Sequence, residues 1–209
     1  MAKERLVVFT RYPEQGLTKT RLIPALGVEG ATKLHRQMTE RTLSKVRELC
    51  CDRPVSVEVC FTGGNLDSMQ GWLGSDIVYQ PQGEGDLGVR MARAMSLSFQ
   101  GGIERVVIIG TDCPGLNANL IAQAFHHLHS HDLVLGPAID GGYYLIGLNR
   151  LIPELFAEIS WGTAEVLQQT VDIANKLNLS VAYLPQLADI DRPDDLPVWE
   201  QILQSDIRE

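Results

Sequence analysis

The chain alternates short apolar runs with segments of helical periodicity. Residues 6–9 and 105–109 are largely apolar runs of strand length, as in strands buried on both faces. Residues 28–50 and 86–99 carry apolar side chains at steps of three and four, which is typical of amphipathic helices. Strands separated by helices predict an α/β protein with a Rossmann-like open, mainly parallel sheet and helices on both faces.

The remaining predicted elements also alternate between strands and helices. A chain of 209 residues is typical of a single domain, which we expect to span residues 1–209. Further strands are predicted at 55–61, 77–79, 133–135, 143–148 and 180–184, and further helices at 117–129, 163–177 and 193–203. In such a sheet, ligands bind outside the carboxyl ends of the strands. The residues that follow each strand are therefore the candidates for function.

The charge of the chain is unevenly distributed. The sequence has 18 Lys and Arg against 26 Asp and Glu, a formal net charge of −8. Residues 1–53 carry 11 of the basic and 6 of the acidic side chains, so the opening quarter is basic and the remainder strongly acidic. An acidic chain lacks the basic footprint of nucleic-acid binding, and we expect no nucleic-acid partner. A local anion site in the first quarter remains compatible with these numbers.

Compartment is inferred from short apolar runs and from the cysteines. The four apolar residues 6–9 are too few for a signal-peptide core, and no run approaches a membrane span. The four cysteines, Cys50, Cys51, Cys60 and Cys113, show no C-x-x-C spacing, which favours reduced thiols. We therefore expect a cytoplasmic protein without a membrane partner.

Three cations follow the first strand within eleven residues: Arg11, Lys19 and Arg21. The loop that carries them lacks the P-loop pattern. Arg can bind phosphate through two hydrogen bonds and Lys can act as a point charge, so the loop could surround a polyphosphate. The alternative is a solvated surface loop, and position after the first strand brings the two interpretations to about equal weight.

Carboxylates follow two other strands. Asp112 comes after the buried run 105–109, where it could bind a metal or cap the next helix. Asp189 and Asp191 lie on one side of an extended segment and could complete a cation site with Asp112. A divalent ion would give carboxylates from distant loops a reason to approach each other.

Glycine-rich segments follow other strands. Residues 80–90 could approach a base or sugar closely, or could form only a tight turn. Residues 140–144 could be a hairpin connection between two strands. Residues 160–163 could line a pocket rim or cap the next helix.

Five motifs in this order resemble a known family. They are Arg11 with Lys19–Leu22, then Gly85–Arg90, Gly110–Pro114, Asp140–Leu148 and Asp189–Leu196. Together they resemble the bacterial radical-SAM/selenodomain-associated transferase family, a glycosyltransferase-like group with the nucleotide-diphospho-sugar transferase (GT-A type) fold. The chain is also similar to 2-phospholactate guanylyltransferase and, more distantly, to molybdenum-cofactor guanylyltransferase. The resemblance extends over about residues 6–196.

For the charged positions, the resemblance implies two tasks. Nucleotide phosphates would be held by Arg11, Lys19 and Arg21, with Lys19 and Asp112 as the catalytic residues. Mg²⁺ or Mn²⁺ would be bound by Asp112 and Asp191, with Asp189 as the substitute if the register differs.

For the glycine-rich segments, the resemblance implies substrate contacts. Gly85, Asp86 and Gly88 would approach the nucleotide. Asp140 and Gly141 would face the acceptor side.

Two reactions fit this set of residues. Attack at the α-phosphorus of a nucleoside triphosphate would release pyrophosphate, whereas attack at the anomeric carbon of a nucleotide sugar would release a nucleoside diphosphate. The segment 9–13 lacks the glycine-rich opening common in sugar nucleotidyltransferases, which favours glycosyl transfer, while residues 19–22 favour nucleotidyl transfer. We prefer glycosyl transfer to a small-molecule acceptor. A non-catalytic nucleotide-binding module is the alternative of another class, and a homodimer is a fold-level expectation.

Overall fold

A computed structural model of the chain describes residues 2–206. Seven strands form one sheet: β1 (Glu4–Arg11), β2 (Val55–Thr62), β3 (Val78–Pro81), β4 (Arg105–Ile109), β5 (Leu133–Pro137), β6 (Tyr143–Leu148) and β7 (Val181–Tyr183). The α-helices are α1 (Ile23–Asp52), α2 (Leu66–Leu73), α3 (Leu87–Gln100), α4 (Ala118–His127), α5 (Val166–Lys176) and α6 (Leu196–Asp206). Among the described residues, no helix is both long and apolar enough to cross a membrane.

The strand order in the sheet is β3-β2-β1-β4-β6-β5-β7. All pairs are parallel except those of β6, which runs antiparallel to both β4 and β5. The connection between β5 and β6 is therefore a hairpin, as the sequence allowed. The prediction of an open, mainly parallel sheet is confirmed.

The apolar run of β1 is continuous because both faces of the strand are buried. Leu6 and Val8 pack on one face of the sheet, against residues such as Leu43 of α1. Val7 and Phe9 pack on the opposite face with Met95 of α3. Both faces of the strand are covered by helices, so every residue of the run gains from burial.

Two helical details differ from the sequence prediction. Helix α1 is bent at Gly27, whose φ of 70° lies in the left-handed region that glycine tolerates. Helix α2 has no counterpart among the predicted elements, because eight residues give too little periodicity to recognise. It begins at an Asn65 capping box, in which Asn65 and Ser68 each accept from the other's backbone N–H.

The topology gathers several loops at one edge of the sheet. Strands β1 and β4 are parallel, so residues 12–19 and 110–115 both leave the sheet at this edge. Since β6 runs the other way, its first residue, Tyr143, lies at the same edge. The hairpin 138–142 and the segment after β7 join them there.

Candidate active site at the carboxyl edge of the sheet

The loops at this edge surround a cavity of about 680 Å³. Its volume lies within the range typical of small-molecule sites. Lining residues come from the ends of β1 and β4, the start of β6, and the segments 161–166 and 189–191. The cavity therefore lies where ligands bind in open α/β sheets.

Lys19 joins the two carboxylates that the sequence analysis assigned to a metal. Its ammonium lies 2.8 Å from Asp112 Oδ1 and 3.0 Å from Asp191 Oδ1. It also donates to the carbonyl of Ile190 at 2.5 Å, so three oxygens match its three N–H groups. The Lys19 side chain is only 4% exposed. Burial alone would lower the pKa of this ammonium, but Asp112 and Asp191 outweigh burial and raise it.

Local backbone contacts hold this cluster in place. The backbone N–H of Ile190 donates to the carbonyl of Asp112 at 2.9 Å, which brings the distant segment 189–191 beside the end of β4. Asp195 Oδ2 accepts from the backbone N–H groups of Asp191 and Arg192. Asp195 therefore has the capping role that its position before α6 suggests.

Arg21 and Arg11 complete the basic side of the cavity. Arg21 lies 2.9 Å from Asp191 Oδ2, with 61% of its side chain exposed. Arg11 lies at the end of β1, is exposed, and its guanidinium donates no hydrogen bond within the described part of the chain. The structure thus brings Arg11, Lys19 and Arg21 to one cavity, with Lys19 directed at carboxylates.

Two buried cavity residues have roles that the sequence analysis did not predict. His35, a buried residue of α1, donates from Nε2 to the carbonyl of Arg11 at 2.9 Å, because a carbonyl can only accept. Burial is the main reason why the pKa of His35 is lowered. Gln82 is buried after β3 and donates to the carbonyls of Thr10 and Cys60. Both side chains fix the backbone at the end of β1, and only tertiary contacts reveal this.

The opposite wall, which we call the β6 side, consists of Asp140, Tyr143, Trp161, Thr163 and Val166. Asp140 Oδ1 accepts from the backbone N–H of Gly142 at 2.8 Å. The rings of Tyr143 and Trp161 meet edge-to-face, with their centroids 6.4 Å apart. Of the two interpretations of residues 160–163, the structure supports the pocket rim.

Asp189 borders the cavity between Asp140 and Asp191. The pKa of its carboxyl is raised, first by burial and then by the negative charge of Asp140. No hydrogen bond from another residue to the Asp189 carboxylate is found among residues 2–206. The segment is held near the hairpin by the backbone N–H of Ile139, which donates to the carbonyl of Leu187.

Four residues of the glycine-rich segments for which substrate contacts were predicted do not line the cavity: Gly85, Asp86, Gly88 and Gly141. Asp86 caps α3 by accepting from the backbone N–H of Val89. A Cβ on Gly88 would lie 2.4 Å from the carbonyl oxygen of Phe156 and 2.5 Å from the Trp161 ring.

Close packing likewise explains Gly141, which has φ +88° and where a Cβ would lie 2.2 Å from the carbonyl of Ala164. For Gly85, φ is +103°. These glycines therefore serve turns and close approach of chain segments, and of residues 85–88 only Leu87 borders the cavity.

A divalent ion can be tested against the donors present. Within residues 2–206, no group of three or more His, Cys, Asp or Glu side chains is arranged around a metal position. The pair Asp112 and Asp191 converges on a single cation, the Lys19 ammonium. One or two carboxylates, with phosphate oxygens and water, are what Mg²⁺ commonly takes. The pair therefore fits a phosphate-bound ion, provided that Lys19 moves aside.

Comparison with known proteins identifies the family. A protein-family model matches residues 45–163, which is more than half of the chain. Its description is "Uncharacterized protein conserved in bacteria (DUF2064)". The chain belongs to the DUF2064 family. No curated protein matches the sequence significantly.

Solved structures place this DUF2064 protein among nucleotide-dependent transferase folds. A crystal structure from Desulfovibrio desulfuricans G20, described as a candidate nucleotide-diphospho-sugar transferase, has a TM-score of 0.86 and 34% identity, covering 92% of this chain and 84% of that one. A nucleotidyl transferase from Methanothermobacter has a TM-score of 0.66 and 13% identity, covering 97% and 98% of the two chains.

A third structure, Rv0371c from Mycobacterium tuberculosis H37Rv in complex with manganese, has a TM-score of 0.55 and 16% identity. It covers 97% of this chain and 98% of that chain. These similarities confirm the predicted nucleotide-diphospho-sugar transferase-like fold.

Proposed function

We propose that this DUF2064 protein is a divalent-metal-dependent transferase that transfers a glycosyl group from a nucleoside-diphosphate sugar to a small acceptor. The observation that carries the proposal is the meeting of Asp112 and Asp191 at one cation position, in the cavity that also contains Arg11 and Arg21. Carboxylates for a metal and cations for phosphate are the two halves of a diphosphate site.

The charges of the cavity support a requirement for a metal. Four aspartates line it, against three Lys and Arg side chains. A bound diphosphate would add further negative charge to this lining. A divalent cation would offset that charge, and nucleotide and metal should therefore bind together.

Each basic side chain has its own task in this proposal. Arg11 and Arg21 hold the diphosphate, since their guanidinium groups can bind phosphate oxygens through paired hydrogen bonds. Asp112 and Asp191 would hold Mg²⁺ or Mn²⁺ in place of the Lys19 ammonium, and Lys19 would then bind the phosphates. When bound, the ion neutralises charge on the leaving diphosphate. His35 keeps Arg11 in position through the Arg11 carbonyl.

The comparisons support this class of enzyme. The relative that shares 34% of its residues is described as a candidate nucleotide-diphospho-sugar transferase. A protein with the same fold was crystallised with manganese. The radical-SAM-associated grouping and the similarity to guanylyltransferases depend on the five sequence motifs and extend the proposal.

Nucleotidyl transfer is the second candidate, and one observation favours it. The segment 11–21 supplies all the Lys and Arg side chains of the cavity, enough positive charge to suit a triphosphate. In that reaction the acceptor attacks the α-phosphorus and pyrophosphate leaves. The name of the Methanothermobacter structure is consistent with this second reaction.

Three broader proposals accompany the reaction. We propose that residues 1–209 form one domain, that the protein acts in the cytoplasm, and that it binds neither nucleic acid nor membrane. The cysteines are all free thiols, which suits a reducing compartment. A homodimer stays a fold-level expectation.

The test is a thermal-shift screen of nucleoside diphosphates, triphosphates and nucleotide sugars, each with and without Mg²⁺ or Mn²⁺. We expect a metal-dependent rise in melting temperature that Asp112→Asn abolishes. Asp67→Asn is the matched control, because Asp67 is exposed in α2 and lies outside the cavity. A shift that needs no metal, or that survives Asp112→Asn, would contradict the proposal. Among active mixtures, release of pyrophosphate would replace glycosyl transfer by nucleotidyl transfer.

A further inference from the structure

The two walls of the cavity differ sharply in charge. Every Lys and Arg that lines the cavity lies within residues 11–21. On the β6 side, the only ionisable side chains are those of Asp140 and Tyr143, and Asp189 lies beside this wall. A ligand whose phosphates lie against the basic segment therefore presents its remaining part to a wall with negative charge and no cation.

The β6 side is held together by contacts between its segments. The backbone N–H of Leu167 donates to the carbonyl of Gly141 at 2.9 Å, which ties the start of α5 to the hairpin. The backbone N–H of Trp161 donates to the carbonyl of Ile159, and its ring meets Tyr143 edge-to-face. Its ring edge also lies against Gly88, where no Cβ could fit. Trp161 is thus a half-buried aromatic side chain that neighbouring segments fix in place.

The polar groups of this wall include acceptors on Asp140 and Thr163 and donors on Trp161 Nε1 and the Tyr143 hydroxyl. Asp140 uses Oδ1 for the backbone N–H of Gly142, and its Oδ2 accepts no hydrogen bond from the described residues. Thr163 donates its hydroxyl hydrogen to the carbonyl of Ser160 and accepts from the backbone N–H of Glu165, which leaves one lone pair on its oxygen. Ionised carboxylates can only accept, so a ligand that binds Asp140 must supply the donor of that hydrogen bond. Hydroxyl groups are donors that bring no charge.

We propose that the β6 side binds an acceptor that is an uncharged, hydroxyl-bearing ring, such as a monosaccharide. Hydroxyl groups donate to Asp140 and Asp189, and the C–H face of the ring packs on Trp161. The proposal deepens the proposed function, on which it rests, by naming the acceptor class. Trp161 and Asp140 are the residues that determine this specificity.

The same arrangement disfavours acceptors that carry a phosphate or carboxylate. An anionic group beside Asp140 or Asp189 would meet like charge without a compensating cation on that wall. Two like charges a few ångströms apart near a protein surface repel strongly enough, after solvent screening, to weaken binding by roughly tenfold.

Three probes share one hexose ring and differ in charge: glucose is neutral, glucosamine is cationic and glucose 6-phosphate is anionic. Saturation-transfer difference NMR measures their binding to the full chain with Mg²⁺ and a nucleoside diphosphate present. We expect glucose to bind roughly tenfold more tightly than glucose 6-phosphate. Equal or preferred binding of glucose 6-phosphate would overturn the proposal. Binding of glucosamine alone would also overturn it, in favour of a cationic acceptor.

Substitutions then locate the binding. Trp161→Ala should weaken glucose binding about threefold to tenfold, whereas Trp161→Phe keeps an aromatic face and most of the affinity. Asp140→Lys should reverse the preference and improve binding of glucose 6-phosphate several-fold. Asp67→Lys makes the same charge change on α2, outside the cavity, and should leave the preference unchanged. A gain of binding cannot result from misfolding, so the reversal remains informative even if Trp161→Ala is unstable.

The outcomes also separate this inference from the proposed function. If the nucleoside diphosphate gives its metal-dependent thermal shift but glucose does not bind, the acceptor class is wrong and the transferase proposal stands. If neither nucleotide nor probes bind, the proposed function itself fails. An unchanged preference in Asp140→Lys would show that Asp140 does not select the acceptor.

Discussion

Lys19→Met removes the positive charge that joins Asp112 to Asp191 while keeping an unbranched side chain of similar length. In the structure, the ammonium lies where both carboxylates could bind a divalent ion. Metal and ammonium therefore compete for the same oxygens. Removing the charge should strengthen metal binding, even though Lys19 belongs to the proposed phosphate site.

The size of this effect follows from the contacts. A unit charge about 4 Å from an opposite charge contributes about 4 kcal/mol at the effective dielectric of a protein surface. The side chains of Asp112 and Asp191 are 53% and 36% exposed, so solvent screening reduces this interaction to about 1–2 kcal/mol. We therefore expect the Mn²⁺ dissociation constant to fall by roughly tenfold in Lys19→Met.

The assay is Mn²⁺ titration followed by electron paramagnetic resonance of the free ion, without nucleotide. Arg21→Met is the matched control, because the Arg21 side chain is 61% exposed and, among the described residues, forms an ion pair with Asp191 alone. It should change Mn²⁺ affinity by less than about threefold. Equal or weaker Mn²⁺ binding by Lys19→Met than by the wild type would refute the competition and the metal position inferred from it.

Three further predictions concern packing, pH and thiol chemistry. Gly88→Ala should lower the free energy of urea unfolding by about 1–3 kcal/mol, because the Cβ of the alanine would lie 2.4 Å from a backbone oxygen. Gly71 is an exposed helical position with open space around it, so Gly71→Ala should instead raise the free energy of unfolding by about 0.5–1 kcal/mol. Hydrogen bonds from the backbone and hydroxyl of Ser180 lower the pKa of the Asp132 carboxyl to about 2. The ionised carboxylate therefore stabilises the fold above its ordinary pKa, and this contribution is lost as the pH falls through 2. Asp132→Asn should lower the free energy of unfolding by about 1 kcal/mol at neutral pH and leave it unchanged below pH 2. Burial raises the pKa of the Cys60 and Cys113 thiols. A disulfide reagent should therefore label the exposed Cys50 and Cys51 quickly, and Cys60 and Cys113 only when the protein unfolds. The packing prediction is wrong if the two glycine variants unfold with equal free energies. The pH prediction is wrong if the effect of Asp132→Asn does not depend on pH, and the thiol prediction is wrong if all four cysteines react quickly in the folded protein.

The order of strands and helices could be predicted because each element has a local signature. The continuous run 6–9 is buried on both faces, as such runs are in parallel sheets. Helix α3 begins where Asp86 caps it and follows the predicted bounds within a residue. The short helix α2 was missed, since its eight residues contain barely two turns of pattern.

Site residues that follow strands were also accessible from the sequence. Arg11, Asp112, Asp140 and Asp191 all line the cavity, because parallel strands end at one edge. Their chemical roles stay predictions until ligands are measured. The glycine-rich positions were harder to interpret, because a glycine required by packing looks the same in sequence as one that admits a ligand. At Gly88 the neighbour that excludes a side chain is Trp161, far along the chain.

The sequence by itself determined the sheet-and-helix architecture and the loops in which charged residues occur, since both depend on periodicity and strand ends. Only the tertiary structure decided which charges meet. It turned Lys19 toward Asp112 and Asp191, placed all cavity cations on one wall, and set Trp161 against the other. These contacts join segments distant in sequence, and their energies depend on distance and burial, which no local pattern records.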